Sequence, residues 1–102
     1  MPFGLKPHII EQTNAIFRKY PEISKVVLYG SRAKGNYRNG SDIDLSIFAD
    51  EIDLTTLQKI ETEIDNLLLP YTFDISIFKN INNQNLIEHI ERIGIEFYKR
   101  EL

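Results

Sequence analysis

The stretch from Lys25 to Phe48 constrains the fold of this chain more than any other segment. A β-branched run, Lys25–Tyr29, predicts a buried strand that stops at Gly30. Residues 31–41 are rich in glycine, asparagine and charge, which indicates a turn with room for one helical turn at its start. From Asp42 to Phe48, polar and apolar residues alternate, which is the period of a second strand. The segment therefore predicts two consecutive strands joined by a polar turn.

The rest of the chain alternates helical and extended patterns. Apolar residues at helical spacing predict a helix from Pro7 to Tyr20 and another that begins at Asp53 or Thr55 and ends before Pro70. Three further elements are predicted: a strand at 72–78, a short helix at 85–92 and an extended segment at 95–98. This order predicts one α+β domain over residues 1–102, with a small mixed sheet and helices packed mainly on one side. The relative direction of the second and third strands stays open, because a whole helix connects them.

Asp42 and Asp44 are the first candidates for chemistry. Strand alternation places both side chains on one face, with Cα atoms about 6.6 Å apart. Carboxylates so placed can hold magnesium, a hard cation that prefers oxygen ligands and keeps several waters. An isolated Asp-x-Asp pair is more often a solvated strand edge, so this pair alone does not establish a metal site.

The third strand supplies a matching carboxylate. Asp44–Phe48, with the sequence DLSIF, has the same residue classes as Asp74–Phe78, with the sequence DISIF. If these strands are neighbours, Asp74 joins Asp42 and Asp44 on one face, where three carboxylates would repel one another unless cations neutralise them. Two metal ions at such a site serve phosphoryl and nucleotidyl transfer. We then expect Asp74 to lie nearest the attacking hydroxyl and to help deprotonate it.

The turn before these carboxylates has features of a phosphate site. Gly30 permits close approach of the backbone to a ligand, and the hydroxyl of Ser31 can donate to the same anion. Arg32, Lys34 and Arg38 form a local basic cluster on a chain of net charge −3. This combination favours a small polyanion such as a nucleoside triphosphate over general nucleic-acid binding, which needs a broadly basic surface. The alternative is that these basic residues serve only solubility.

Composition excludes several classes of protein. The chain has no cysteine, which rules out disulfides and thiolate metal sites and fits a cytoplasmic location. We find neither a signal peptide at the N-terminus nor a long apolar run, so we expect no membrane association. There is no P-loop sequence. His8 and His89 lack any nearby ligand pattern and are expected to be surface or packing residues.

The residues Gly30-Ser31, Asp42-x-Asp44 and the later Asp74 resemble the signature of the DNA polymerase β-like nucleotidyltransferase superfamily. GSRAKG followed by SDIDL is most similar to the MNT type, the minimal nucleotidyltransferases. The resemblance implies Mg²⁺-dependent transfer of AMP from ATP. It implies that Gly30 and Ser31 hold the triphosphate and that Asp42, Asp44 and Asp74 form the catalytic metal site. The local charge cluster adds Arg32 and Lys34 as candidates for binding the phosphates.

The resemblance also implies a partner. MNT proteins are often antitoxins of all-helical HEPN-domain toxins, which they neutralise by binding or by adding AMP to a tyrosine. A single domain leaves no residues for an acceptor domain, so we expect the acceptor surface to come from another chain or a second copy. Two alternatives stay open: a nucleotide-binding module that inhibits its partner sterically, and transfer to a small molecule.

Overall fold

A four-stranded sheet with the order β3-β2-β1-β4 organises the fold. The computed structural model describes residues 2–101. Its helices and strands are α1 (Pro7–Arg18), β1 (Ile23–Tyr29), α2 (Gly30–Lys34), β2 (Ile43–Ala49), α3 (Leu54–Asp65), β3 (Phe73–Ile77), α4 (Gln84–Ile93) and β4 (Ile95–Lys99). Short 3-10 turns occupy Pro2–Gly4 and Phe78–Asn80. The predicted small mixed sheet is confirmed.

Strand pairing settles the direction that the sequence left open. β1 pairs antiparallel with both β2 and β4, whereas β2 and β3 are parallel. The parallel register places Asp44 beside Asp74 and Ser46 beside Ser76. The matched DLSIF and DISIF segments are therefore neighbours in the sheet, position for position.

The two faces of the sheet are covered differently. On one face, Ile43, Leu45 and Ile47 of β2 are fully buried in the main core, to which α1 and α3 contribute Phe17 and Ile60 among others. On the opposite face, Val27 and Tyr29 of β1 pack against Ile90 of α4. Two of the three longer helices thus lie on one side, as predicted, and α4 partly covers the other. Asp44, the carboxylate of β2, belongs to this second, less covered face.

Helix ends follow local chemistry. α3 begins after Asp53, whose side chain accepts a hydrogen bond from the Thr56 amide at 2.8 Å, so Asp53 and not Thr55 is its cap. The helix ends at Asp65, earlier than predicted, because Leu68 adopts a left-handed conformation with φ 55° and turns the chain away. Leu68, which lies within the predicted helix, is 88% exposed. In residues 2–101 no helix is long and apolar enough to cross a membrane.

Candidate functional site

Asp44 and Asp74 lie side by side on the face of the sheet that α4 only partly covers. Asp44 is half-buried in β2, and its neighbour Asp74 is exposed in β3. Burial raises the pKa of the Asp44 carboxyl above its ordinary value, and the carboxylates of Asp74 and Asp42 raise that pKa further. Asp42 immediately precedes β2 and is exposed. The charges of Asp74 and Asp42 therefore both act on the Asp44 carboxylate.

Tyr29 lies in the same field of negative charge. It lies in β1 opposite Asp44 and is only 7% exposed. Burial raises the pKa of the Tyr29 phenol; a hydrogen bond with Ser76 opposes this shift, and the charges of Asp74 and Asp44 add to it. The phenol thus lies in the field of both strand carboxylates. Its burial makes Tyr29 part of the floor of the site and not a free surface for stacking.

The donor set fits magnesium in its chemistry. All three side chains supply carboxylate oxygens, the ligands that hard cations prefer, and their mutual repulsion is what a cation would relieve. Across the described residues, no three or more acidic, histidine or cysteine side chains are already gathered as a metal-binding cluster. Magnesium commonly binds through one or two carboxylates and retains water, so the adjacent pair Asp44 and Asp74 is compatible with it.

Gly30 joins the turn to the carboxylates. Its φ of 74° lies in the left-handed region, and a Cβ atom at this position would lie 2.3 Å from Oδ2 of Asp44. A side chain here would be strained by the backbone and would also collide with the carboxylate. Glycine therefore lets the backbone pass directly over Asp44, so that the Gly30–Ser31 turn and the metal candidates share one small space.

His89 also belongs to this space, although it was expected to be only a surface or packing residue. The backbone amide of Gly30 donates a hydrogen bond to Nε2 of His89 at 3.1 Å. The imidazole meets the ring of Tyr29 edge to face, with centroids 6.0 Å apart. Burial lowers the pKa of His89, and the positive charges of Lys34 and Arg92 lower it further. The available signal was the position of His89 beside the buried Ile90 of α4, on the inner side of an amphipathic helix.

Arg32 does not point to this space. Its side chain is 2% exposed. The guanidinium donates to the carbonyl of Ser41 through Nε and Nη2, at 3.1 and 2.9 Å, and to the carbonyls of Phe3 and Asn39. The rings of Tyr37 and Tyr71 lie 5.2 and 5.1 Å from it. These contacts favour a structural role over the phosphate contact predicted for Arg32, because its donors are already occupied by backbone carbonyls.

The other basic residues of the turn remain at the surface. Lys34 is exposed at the end of α2, and its charge reaches His89. Ser31 is half-buried in the first turn of the same helix. Arg38 is exposed in the loop before β2. Of the residues of this turn, the structure places Gly30 against Asp44, and the charge of Lys34 acts on His89, which accepts the hydrogen bond of the Gly30 amide.

Comparisons with known proteins agree on one family. A family model described as polymerase beta, nucleotidyltransferase matches residues 11–101. A candidate protein adenylyltransferase from Methanocaldococcus jannaschii is 33% identical over 78 residues, covering 74% of this chain and 79% of the relative. Both the glycine-serine turn and the three aspartates fall within the range of the family match.

Solved structures share the fold at low identity. A toxin-antitoxin complex with AMP-PNP matches at a TM-score of 0.73 and 17% identity, covering 90% of this chain and 74% of that one. A tri-AMPylated Shewanella oneidensis HEPN toxin in complex with its MNT antitoxin matches at 0.70 and 14%, covering 94% and 74%. A nucleotidyltransferase candidate from Sulfolobus solfataricus matches at 0.52 and 17%, covering 91% and 82%. At these identities the structures establish the fold.

Proposed function

Because the chain belongs to the polymerase β nucleotidyltransferase family, we propose that it transfers AMP from ATP to a hydroxyl group of a partner protein, with Mg²⁺. The single observation that carries the proposal is the approach of Gly30 to Asp44, with Asp74 next to Asp44 in the parallel register. A turn suited to phosphate and a pair of adjacent carboxylates then lie within one site. Nucleotidyl transfer needs both, since the triphosphate and the attacking hydroxyl have to meet in line.

Each residue of the site has a role in the proposed reaction. The Gly30 amide, the Ser31 hydroxyl and the Lys34 ammonium bind the triphosphate. Asp42, Asp44 and Asp74 would hold the magnesium, which when bound offsets the negative charge of phosphates and carboxylates and favours the ionised hydroxyl. Asp74, the most accessible of the strand carboxylates, accepts the proton of the attacking hydroxyl. The oxygen bonds to the α-phosphorus, the bond from that phosphorus to the β-bridging oxygen breaks, and pyrophosphate leaves.

The proposed acceptor is a tyrosine of a small all-helical HEPN-domain toxin, so that the chain acts as an antitoxin. Support comes from two directions. A relative above 30% identity is a candidate protein adenylyltransferase. One of the solved structures in which this fold is found is a complex of a tri-AMPylated HEPN toxin with its MNT antitoxin. Transfer of AMP to the toxin would account for its neutralisation, whether or not the two proteins also form a stable complex.

The proposal is tested by the mass of the partner. The protein encoded next to this chain is incubated with the purified chain, ATP and Mg²⁺, and its intact mass is measured. We expect a gain of one or more AMP units with the wild type and with Asp50→Asn, an exposed carboxylate beyond the far end of β2. Asp44→Asn should abolish the gain. An unchanged partner mass, with nucleotide and metal shown to bind, would exclude transfer to that protein.

The same variants separate catalysis from steric inhibition. The three carboxylates are not gathered into a closed metal cluster in the described part of the chain, and this observation keeps a binding-only antitoxin as the second candidate. Toxicity of the partner is measured in cells that express each variant. If Asp44→Asn blocks transfer but still suppresses toxicity, binding suffices for neutralisation. If suppression is lost while the complex still forms, AMP transfer is the neutralising step.

A further inference from the structure

The Gly30 amide already has a hydrogen-bond acceptor within the protein. Its N–H donates to Nε2 of His89 at 3.1 Å, which requires an unprotonated Nε2. The imidazole is held in this position from two sides. Its edge contacts Tyr29, and the neighbouring residue in α4, Ile90, is 2% exposed and anchors the helix on the sheet. The bond therefore spans two elements, the turn after β1 and the middle of α4.

This bond conflicts with the role of Gly30 in phosphate binding. A backbone amide has one hydrogen and forms one good hydrogen bond, so an imidazole nitrogen and a phosphate oxygen compete for it. The left-handed conformation of Gly30 fixes the direction in which this N–H points. Either His89 moves away when nucleotide binds, or the phosphate does not use this amide.

We propose that His89 is a resident acceptor that occupies the phosphate position of the Gly30 amide, and that the nucleotide has to displace it. The inference rests on the proposed function, because it assumes a triphosphate at Gly30. In the free protein, the imidazole satisfies a half-buried amide and keeps the turn oriented. On binding, a phosphate oxygen replaces Nε2, and the freed imidazole lies beside the triphosphate. His89 is thus a positioning residue whose bond to Gly30 weakens nucleotide affinity.

Nuclear magnetic resonance on the wild type tests the displacement directly. The ¹⁵N shift of His89 Nε2 and the amide resonance of Gly30 are followed while a non-hydrolysable ATP analogue is added with Mg²⁺. In the free protein we expect Nε2 to show the shift of a hydrogen-bond acceptor, and at saturation we expect that signature to disappear. An unchanged signature while other site resonances move would overturn the inference but leave the proposed function intact. Absence of any nucleotide binding would overturn both.

A matched pair of variants measures the cost of the displacement. His89→Phe keeps a ring against Tyr29 but removes the acceptor, whereas His8→Phe makes the same change at an exposed position in α1. A typical hydrogen bond corresponds to about a fivefold change in an equilibrium constant, so His89→Phe should bind nucleotide about fivefold more tightly than the wild type. His8→Phe should not change the affinity. Weaker binding by His89→Phe would show that the imidazole is a ligand of the nucleotide, which contradicts the proposal.

Discussion

Replacing Gly30 by alanine tests the contact that joins the two halves of the site. Gly35 provides the control, because it is also left-handed, with φ 87° against 74° for Gly30, but a Cβ there would meet nothing within 4 Å. A left-handed backbone costs a non-glycine residue about 1–2 kcal/mol. Alanine recovers about 0.4–1 kcal/mol by restricting the unfolded chain. Gly35→Ala should therefore lose about 1 kcal/mol of unfolding free energy, a fall of about 4–8 °C in melting temperature.

Gly30→Ala adds a collision to the same backbone strain. The new methyl carbon would lie 2.3 Å from Oδ2 of Asp44, well inside van der Waals contact. The carboxylate is the end of a rotatable side chain, so it can move, and we expect the further loss of stability to stay within about 1–2 kcal/mol. The functional loss should be larger. A displacement of about 1 Å in a catalytic group costs on the order of 100-fold in rate.

The assay compares both variants with the wild type in thermal unfolding and in AMP transfer to the partner. We expect Gly35→Ala to be within about threefold of the wild-type rate and Gly30→Ala to fall by at least about 100-fold. Equal activity of the two variants would refute the reasoning, because it would show that the Asp44 carboxylate need not lie under Gly30. Equal stability with unequal activity would still agree with it.

Three further predictions concern stability. Because the pKa of the Asp44 carboxyl is raised in the folded protein, its ionised form destabilises the fold, and this loss of stability grows as pH rises from the unfolded-state pKa through the folded-state pKa. Asp44→Asn should therefore raise the melting temperature of the magnesium-free protein at neutral pH. A lower melting temperature would contradict the mutual repulsion. Arg32→Ala should cost about 3 kcal/mol in denaturant unfolding, since several buried carbonyls lose their donor, whereas the exposed control Arg38→Ala should stay within about 0.5 kcal/mol. Similar losses for both would remove the structural role of Arg32. Leu68→Gly should gain about 0.5–1 kcal/mol by relieving the left-handed strain of an exposed leucine, and a loss would show that the side chain makes a contact of its own.

The sequence predicts local structure well where that structure depends only on residues of a single helix or strand. Alternation in β2 and the apolar stripe of α1 depend on residues within one segment, and both are found in the structure, although α1 ends at Arg18 and not at Tyr20 as predicted. The end of α3 was placed too late, because Leu67 and Leu68 continue the apolar pattern past Asn66, which caps the helix, and a leucine does not indicate the left-handed conformation that Leu68 adopts. The strand direction of β3 depends on how α3 crosses the sheet, which composition does not specify.

The candidate site was predictable only where its residues are close in sequence, because contacts between distant segments depend on the complete fold. Gly30 and Asp44 could be linked through spacing, since a single turn separates their strands. Arg32 was predicted to bind phosphate because it belongs to a local basic cluster with Lys34 and Arg38, but its contacts with Phe3 and Tyr71 come from distant parts of the chain. His89 reaches Gly30 across a long separation in sequence, and no local pattern encodes that hydrogen bond.

The position of a radiolabel on the partner tests nucleotidyl transfer most directly. The chain, Mg²⁺ and the neighbouring helical protein are incubated with ATP labelled at either the α- or the γ-phosphate. Attack at the α-phosphorus predicts that the α-label appears on the partner, that the γ-label leaves with pyrophosphate, and that Asp44→Asn transfers neither. A γ-label on the partner would indicate phosphoryl transfer. That result, or no label on a partner that binds the chain and its nucleotide, would contradict the account.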